Sequence, residues 1–306
     1  MKPEPLPGIV RVPVLFVNAY LVDVNPGVPN DGWMLVDTGL RGAGAIEIER
    51  AAARRYGRRR GPSAIVLTHG HFDHAGSARR LARRWNAPIF AHELELAYLT
   101  GRSDYPPPDP TVGGALAMMS RTFPHGGIDL RPHVLPVPAD GIIPSVPGWR
   151  VIHTSGHTPG HVSLWRESDG MLLAGDALAT MNLDSWTKTV TMPVELCWPP
   201  APLTTDWNAA RESVRRLAAL GPRAIAAGHG LPFTEPHIAQ ALETFVETFR
   251  APEHGRYVAH AVVADRGGIV ELPPPVPDPV GRLLRGAAAS AAVAALVMGV
   301  RARHSA

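Results

Sequence analysis

The chain has 306 residues, long enough for one large domain or two ordinary ones, and is 45% hydrophobic and 19% charged. That balance describes a globular body and excludes extensive disorder, while 30 Gly and 32 Pro promise many turns. A single cysteine, Cys197, excludes an intrachain disulfide, a Cys-rich zinc motif and a thiol redox pair, and the net charge is only +3. Nearly all basic residues are Arg, the exceptions being Lys2 and Lys188. The arginine runs within 54–60 and 79–84 lack an aromatic platform, so they read as solvated helix faces, with no nucleic-acid partner. The N-terminal residues lack the charged and apolar regions of a signal peptide, and the expected location is cytoplasmic.

Two apolar, β-branched runs, 10–24 and 33–36, are separated by Asn25-Pro26-Gly27 and Asn30-Asp31-Gly32 and predict a hairpin. Helical and strand patterns then alternate: a helix at 43–56, a strand at 64–67, a helix at 75–85 and a strand at 88–91. Residues 93–132 mix helical patterns with Tyr105-Pro106-Pro107-Pro108 and look like an insertion able to form a lid. Strands return at 150–153, 162–165, 171–174 and 224–227, with helices at 205–220 and 235–249. The organisation expected is a body over 1–252, a Pro-rich linker over 253–281 and an Ala-rich C-terminal helix over 282–306. Within that helix, residues 286–300 carry no charge, and as a helix would span about 22 Å against a hydrocarbon core of about 30 Å. Such a segment is short for a span and suits packing on the body, peripheral membrane contact or a homodimer.

The chemistry concentrates in Thr68-His69-Gly70-His71-Phe72-Asp73-His74, directly after one strand and before a helix. In an extended turn His69 and His71 share a side, while Asp73 and His74 approach from where the chain enters the helix, so one segment can serve two adjacent metals. Three further signals sit at predicted strand ends. They are His157 in Ser155-Gly156-His157-Thr158-Pro159-Gly160-His161, Asp176 in Ala174-Gly175-Asp176, and His229 in Ala227-Gly228-His229-Gly230. Each has flanking glycines that let the backbone turn sharply and come close to an ion. His153 lies in the preceding strand pattern as a weaker candidate, and His92, His125, His133, His237, His254, His260 and His304 lack such partner spacing.

With these motifs and the Asp37-Thr38-Gly39 turn in this order, residues 18–229 resemble the metallo-β-lactamase-fold superfamily, and within it the glyoxalase II-like hydrolases. The resemblance implies an α/β (α+β) fold, an αββα four-layer sandwich with a helical insertion and a C-terminal helix. It also implies a dinuclear centre: His69, His71 and His157 around one metal, Asp73, His74 and His229 around the other, and Asp176 bridging. Asp37 would orient a ligand and His161 would support the site.

Two metals about 3.5–4 Å apart share one water, lower its pKa toward about 7 and present a bridging hydroxide, so no protein nucleophile is needed. Asp73 and Asp176 are the catalytic carboxylates, able to hold the proton of that hydroxide and, for Asp73, to pass one to a leaving group. Five His and two Asp suit two zinc ions, with iron or manganese also accepted. The reaction expected is cleavage of an ester, thioester or lactone in a small-molecule substrate. Met118, Met119, Phe123, Trp186 and Trp198 are candidates to line an acyl pocket. Two departures bear on the substrate: no Tyr lies between Asp176 and His229, unlike N-acyl-homoserine lactonases, and no basic cluster for glutathione follows His229. The competing readings are a mononuclear-iron enzyme similar to the persulfide dioxygenases and a metallo-nuclease.

Overall fold

A computed structural model describes residues 6–28 and 31–283. In chain order the first half contains β1 (Ile9–Val14), β2 (Val17–Asp23), β3 (Trp33–Val36), α1 (Ala43–Tyr56), β4 (Ala64–Val66), α2 (Phe72–Ala75), α3 (Ala78–Trp85) and β5 (Ile89–Ala91). A 3-10 turn, Glu93–Glu95, leads into α4 (Leu96–Leu99), α5 (Gly114–Ser120) and β6 (Val134–Pro136). The second half contains β7 (Arg150–His153), β8 (Val162–Arg166), β9 (Met171–Gly175), α6 (Trp186–Thr191), α7 (Trp207–Ala218), β10 (Ala224–Ala227), α8 (Ile238–Thr248), β11 (Val263–Asp265) and β12 (Gly268–Glu271).

Two sheets form the body, one of six strands in the order β1-β2-β3-β4-β5-β6 and one of four in the order β10-β9-β8-β7. Successive strand residues face opposite sides, and the apolar residues obey that alternation on both sheets. Met34, Val36, Ala64 and Val66 meet Val162, Leu164, Met171, Leu173, Ala224 and Ala226 in one cluster, which is the layer between the sheets. Their neighbours Trp33, Leu35 and Ile65 face outward onto Ala45, Ile48, Leu81 and Ala82 of α1 and α3. On the other side Leu172, Ala174, Ile225 and Ala227 face Val214 and Leu217 of α7 and Leu242 and Phe245 of α8. The architecture is therefore helix, sheet, sheet, helix, as the family resemblance implied.

Local differences from the sequence expectations have identifiable causes. The apolar run at 10–24 is broken by a two-residue turn: Val14 pairs with Val17, and Leu15 takes a positive φ of 59° and is 80% exposed. Nothing polar marks that turn. The helix expected at 75–85 is split, because the Ser77 hydroxyl donates to the Leu40 carbonyl (2.7 Å) and accepts from the Ala45 amide (3.0 Å) instead of continuing one helix. The stretch 93–132 is not a separate lid. Glu95, Tyr98 and Leu99 are 0% exposed and belong to the body, and α5 buries Ala115, Leu116, Ala117 and Ser120 while exposing Met118 and Met119.

The residues expected as a linker contain the β11–β12 hairpin, and a compact unit extends to Pro273. Arg102 donates to the Arg266 carbonyl at 2.8 Å, Arg266 pairs with Glu93 at 2.8 Å and the Tyr257 hydroxyl donates to the Pro107 carbonyl at 2.6 Å. Proline-rich composition hid these anchors, which are made by residues far away in sequence. The expected Ala-rich helix lies outside the described residues from 284 onward, and so does the peripheral membrane or homodimer contact expected through 286–300. Among the described residues no helix is long and apolar enough to cross a membrane.

Urea unfolding separates the two parts of the 93–132 stretch. Leu99→Ala should lower stability by about 2–5 kcal/mol as a core truncation, whereas Met118→Ala, at a side chain that is 41% exposed, should change it by no more than about 0.5 kcal/mol.

Candidate metal centre

Every residue of the cluster lies in the segment that directly follows a strand, a loop in each case except for Asp73 and His74, which stand on the short helix α2. Asp37 follows β3, the 69–74 segment follows β4, His157 lies in the turn after β7, Asp176 follows β9 and His229 follows β10. The C-terminal ends of strands in both sheets thus open onto one place. There the structure brings together His69 with His71 and His157, His69 with His74 and Asp176, and Asp73 with His74 and His229, ligand atoms within each group lying within 4.8 Å of one another. All seven side chains are at most 5% exposed. Asp176 Oδ2 is central, 3.5 Å from His157 Nε2, 3.4 Å from His74 Nε2 and 3.2 Å from His229 Nε2. Asp73 Oδ2 stands 3.7 Å from His229 Nε2 and 3.9 Å from His74 Nε2.

Hydrogen bonds at the outer nitrogens fix which face each imidazole turns inward. His229 Nδ1 donates to the Phe16 carbonyl at 2.8 Å, and His74 Nδ1 donates to Asp37 Oδ2 at 2.8 Å. The Thr68 hydroxyl donates to Asp37 (2.8 Å) and therefore accepts from His69 Nδ1 (3.1 Å). The Thr204 hydroxyl donates to the Pro200 carbonyl (2.9 Å) and accepts from His157 Nδ1 (3.2 Å). Four imidazoles are thereby assigned as Nδ1–H tautomers whose Nε2 lone pairs point into the cluster, the state that an ion requires. His71 is turned the other way, its Nδ1 lying 3.1 Å from His157 Nε2 and its ring against Tyr105.

Several inward atoms have no hydrogen-bond partner although buried: His69 Nε2, His74 Nε2, Asp73 Oδ1 and Asp176 Oδ1. Such atoms are costly unless something coordinates them, and a mixed imidazole and carboxylate donor set fits borderline divalent cations. The electrostatics agree. Burial, reinforced by neighbouring imidazoles, holds His69 and His157 well below the usual histidine range and His71 at about 3, so these three stay neutral donors. Burial also acts to lower His74 and His229, yet both are raised, because Asp176 and Asp73 outweigh it, joined at His74 by Asp37. A field that favours a proton on these rings favours a divalent cation beside them.

Asp37 has a positive φ of 58° and accepts from the Thr68 amide (2.8 Å), the Thr68 hydroxyl and His74, so a strained backbone position is held by three bonds. His161 supports rather than ligates: its Nε2 accepts from the Asp176 amide at 2.8 Å and its Nδ1 donates to the Thr154 carbonyl at 3.1 Å, leaving no free lone pair. His153 stacks on His92 at 4.0 Å, apart from the cluster. The first hairpin closes on the last site loop, with Asn18 Nδ2 donating to the carbonyls of Ala227 (3.0 Å) and Gly230 (2.7 Å) and the Tyr20 hydroxyl to that of Ala227 (2.6 Å).

Candidates for the substrate wall are divided by the structure. Phe123 packs with Leu116, Met181 and Leu183 and lies 5.4 Å from the Phe72 ring, next to Asp73. Met118, Met119 and Trp186 are exposed, on α5 and α6. Trp198 does not join them: it stacks on Phe245 at 5.2 Å and packs edge-on to Phe249, in the outer core against α8. The sequence reading missed Thr68, Thr204, the Phe16 carbonyl and Glu95. Of these only Glu95 carries a signal, a carboxylate at i with Tyr98 and Leu99 at i+3 and i+4 on an apolar helical face.

The sequence profile of the metallo-β-lactamase superfamily matches residues 12–229, and the chain belongs to that superfamily. It is similar to the probable metallo-hydrolase YflN of Bacillus subtilis, 39% identical over 233 residues that make up 76% of this chain and 87% of that one. Among solved structures it is similar to the metallo-β-lactamase family protein TTHA1429 of Thermus thermophilus, at a TM-score of 0.54 and 28% identity, covering 80% of both chains. It is also similar to TTHA1623 in a di-iron-bound form, at a TM-score of 0.50 and 25% identity, covering 79% of this chain and 98% of that one. The protein is accordingly a metallo-hydrolase of this superfamily with a histidine and aspartate metal-binding cluster.

Two expectations follow from this geometry. Asp37→Asn exchanges an ionic acceptor for an amide and should weaken metal binding about 10–100-fold in competition with a chromophoric chelator. Burial, the largest cause, pushes the Cys197 thiol up to about 12. At pH 8 only about one thiol in ten thousand is then thiolate, so alkylation should be slow in the native protein and rapid after denaturation.

Proposed function

We propose that the protein is a dinuclear zinc hydrolase, glyoxalase II-like in its site, that cleaves an ester, thioester or lactone in a small-molecule substrate in the cytoplasm. The observation that carries this reading is the position of Asp176 Oδ2, within 3.5 Å of imidazole nitrogens belonging to two separate groups. His69, His71 and His157 would hold one ion, Asp73, His74 and His229 the other, and Asp176 both. Bound zinc supplies Lewis acidity and a water of lowered pKa as nucleophile.

The side chains do the rest. His161 Nε2 accepts from the Asp176 amide and so holds the Asp176 backbone, from which the carboxylate reaches both groups. A carboxylate has two oxygens, so Asp73 could hold an ion through one and with the other orient a proton for the departing oxygen or sulfur. Phe72, next in sequence to Asp73, meets Phe123 at 5.4 Å, and Phe123 packs with Leu116, Met181 and Leu183, an apolar cluster suited to take an acyl group.

Elemental analysis of protein purified without added metal should give close to two zinc per chain. Chelation should abolish hydrolysis of a thioester, lactone and ester panel, zinc should restore it, and Asp176→Ala should have no detectable turnover. Retained turnover in Asp176→Ala would sink this mechanism. About one iron per chain, with oxygen uptake on glutathione persulfide, would replace it with the dioxygenase reading.

A further inference from the structure

Glu95 is 0% exposed and makes no salt bridge to any described cation, yet four donors converge on it. The division between its oxygens is specific. Oε2 accepts from the Gly70 amide at 3.0 Å and from the Tyr105 hydroxyl. Oε1 accepts from the Thr158 hydroxyl at 2.7 Å and the Gly160 amide at 3.0 Å. One oxygen thus serves the loop carrying His69 and His71, and the other serves the turn carrying His157. Both loops are moulded to this carboxylate and its partner. A Cβ on Gly70 would lie 2.3 Å from the Tyr105 hydroxyl, and one on Gly160 would lie 2.8 Å from Glu95 Cγ. Those contacts account for the glycines of His-Gly-His and Pro-Gly-His at these places.

We infer that Glu95 is a positioning residue that sets the spacing of His71 and His157 and thereby governs ion binding at the His69, His71 and His157 group selectively. The inward nitrogens of His71 and His157 lie 3.1 Å apart, each one residue from a bond to Glu95. The other group is anchored elsewhere: His74 by Asp37 and His229 by the Phe16 carbonyl. A carboxylate is the only side chain of this size with two acceptor oxygens. Glutamine keeps one and turns an NH2 toward an N–H or O–H donor, so one of the two loops must be released. The inference rests on the two-ion reading, and it concerns how one of the two places is held.

The test is titration of metal-depleted protein with cobalt(II), followed by the visible d–d spectrum and by chelator competition. Two binding steps are expected for the unaltered chain. In Glu95→Gln one step should weaken about 10–100-fold, the range found for groups that orient metal ligands, while the other keeps its affinity and spectrum. Equal weakening of both steps, or of neither, would overturn the inference. An unaltered chain that takes up one ion would sink the two-ion reading alone; loss of that ion's affinity in Glu95→Gln would still support the role of Glu95, and unchanged affinity would overturn it. If Glu95→Gln fails to fold, Glu95→Asp is the second variant. It keeps both acceptors but shortens the reach, so it should weaken the same step by a smaller factor and leave the other step as it was; any other pattern counts against the inference. Tyr105→Phe removes one donor and releases neither loop, so both steps should stay within about 3-fold of the unaltered chain.

Discussion

An imidazole nitrogen or carboxylate oxygen shut away from water without a partner costs on the order of 1–3 kcal/mol, and the strand ends of this fold gather several into one cluster. Four of the imidazoles are held in place by bonds from their outer nitrogen to the scaffold. Asp37, Thr68, Thr204 and the Phe16 carbonyl take the outward protons of four imidazoles. The inner atoms are then the ones left unmatched, and they face one another. A cluster with loose outer bonds could relax by turning rings until donors and acceptors met. Here those four rings cannot turn without breaking a bond to the body.

The same logic explains the layers. Two sheets packed face to face place the C-terminal ends of β3, β4, β7, β9 and β10 where their loops can converge, and strand alternation sends apolar residues to both faces of each sheet. Strands buried on both sides cannot be read from alternation. They are short, and their signal is the ligand or glycine that ends each one. That is why the sequence locates the site more sharply than it locates the elements around it.

What the sequence conveyed follows from that distinction. His69, His71, Asp73, His74, His157, Asp176 and His229 are legible because chemistry demands those side chains beside glycines, and the structure gathers all seven. Glu95 was not, because the same letters describe a solvated helix end, and only Tyr98 and Leu99 on its face betray burial. The turn at Leu15 and Phe16 was hidden for the opposite reason, being apolar where turns are usually polar. Trp198 was misplaced because a tryptophan near a site loop and one in a core look alike until α8 is seen to cover it. A backbone acceptor such as the Phe16 carbonyl has no letter at all.

The bonds between the first hairpin and the last site loop have a consequence for how the molecule is made. His229 and Phe16 are 213 residues apart, and Asn18 and Ala227 are 209 apart. Contacts so distant in sequence carry the largest loop-closure entropy and favour late formation. A nascent chain can assemble Asp37, Thr68 and His74 among themselves long before the ribosome has released residue 229, and at that stage it offers an ion an incomplete cage open to water. The seven side chains are therefore gathered only once the last site loop has closed on the first hairpin, so the cluster depends on contacts between the two ends of the 12–229 segment.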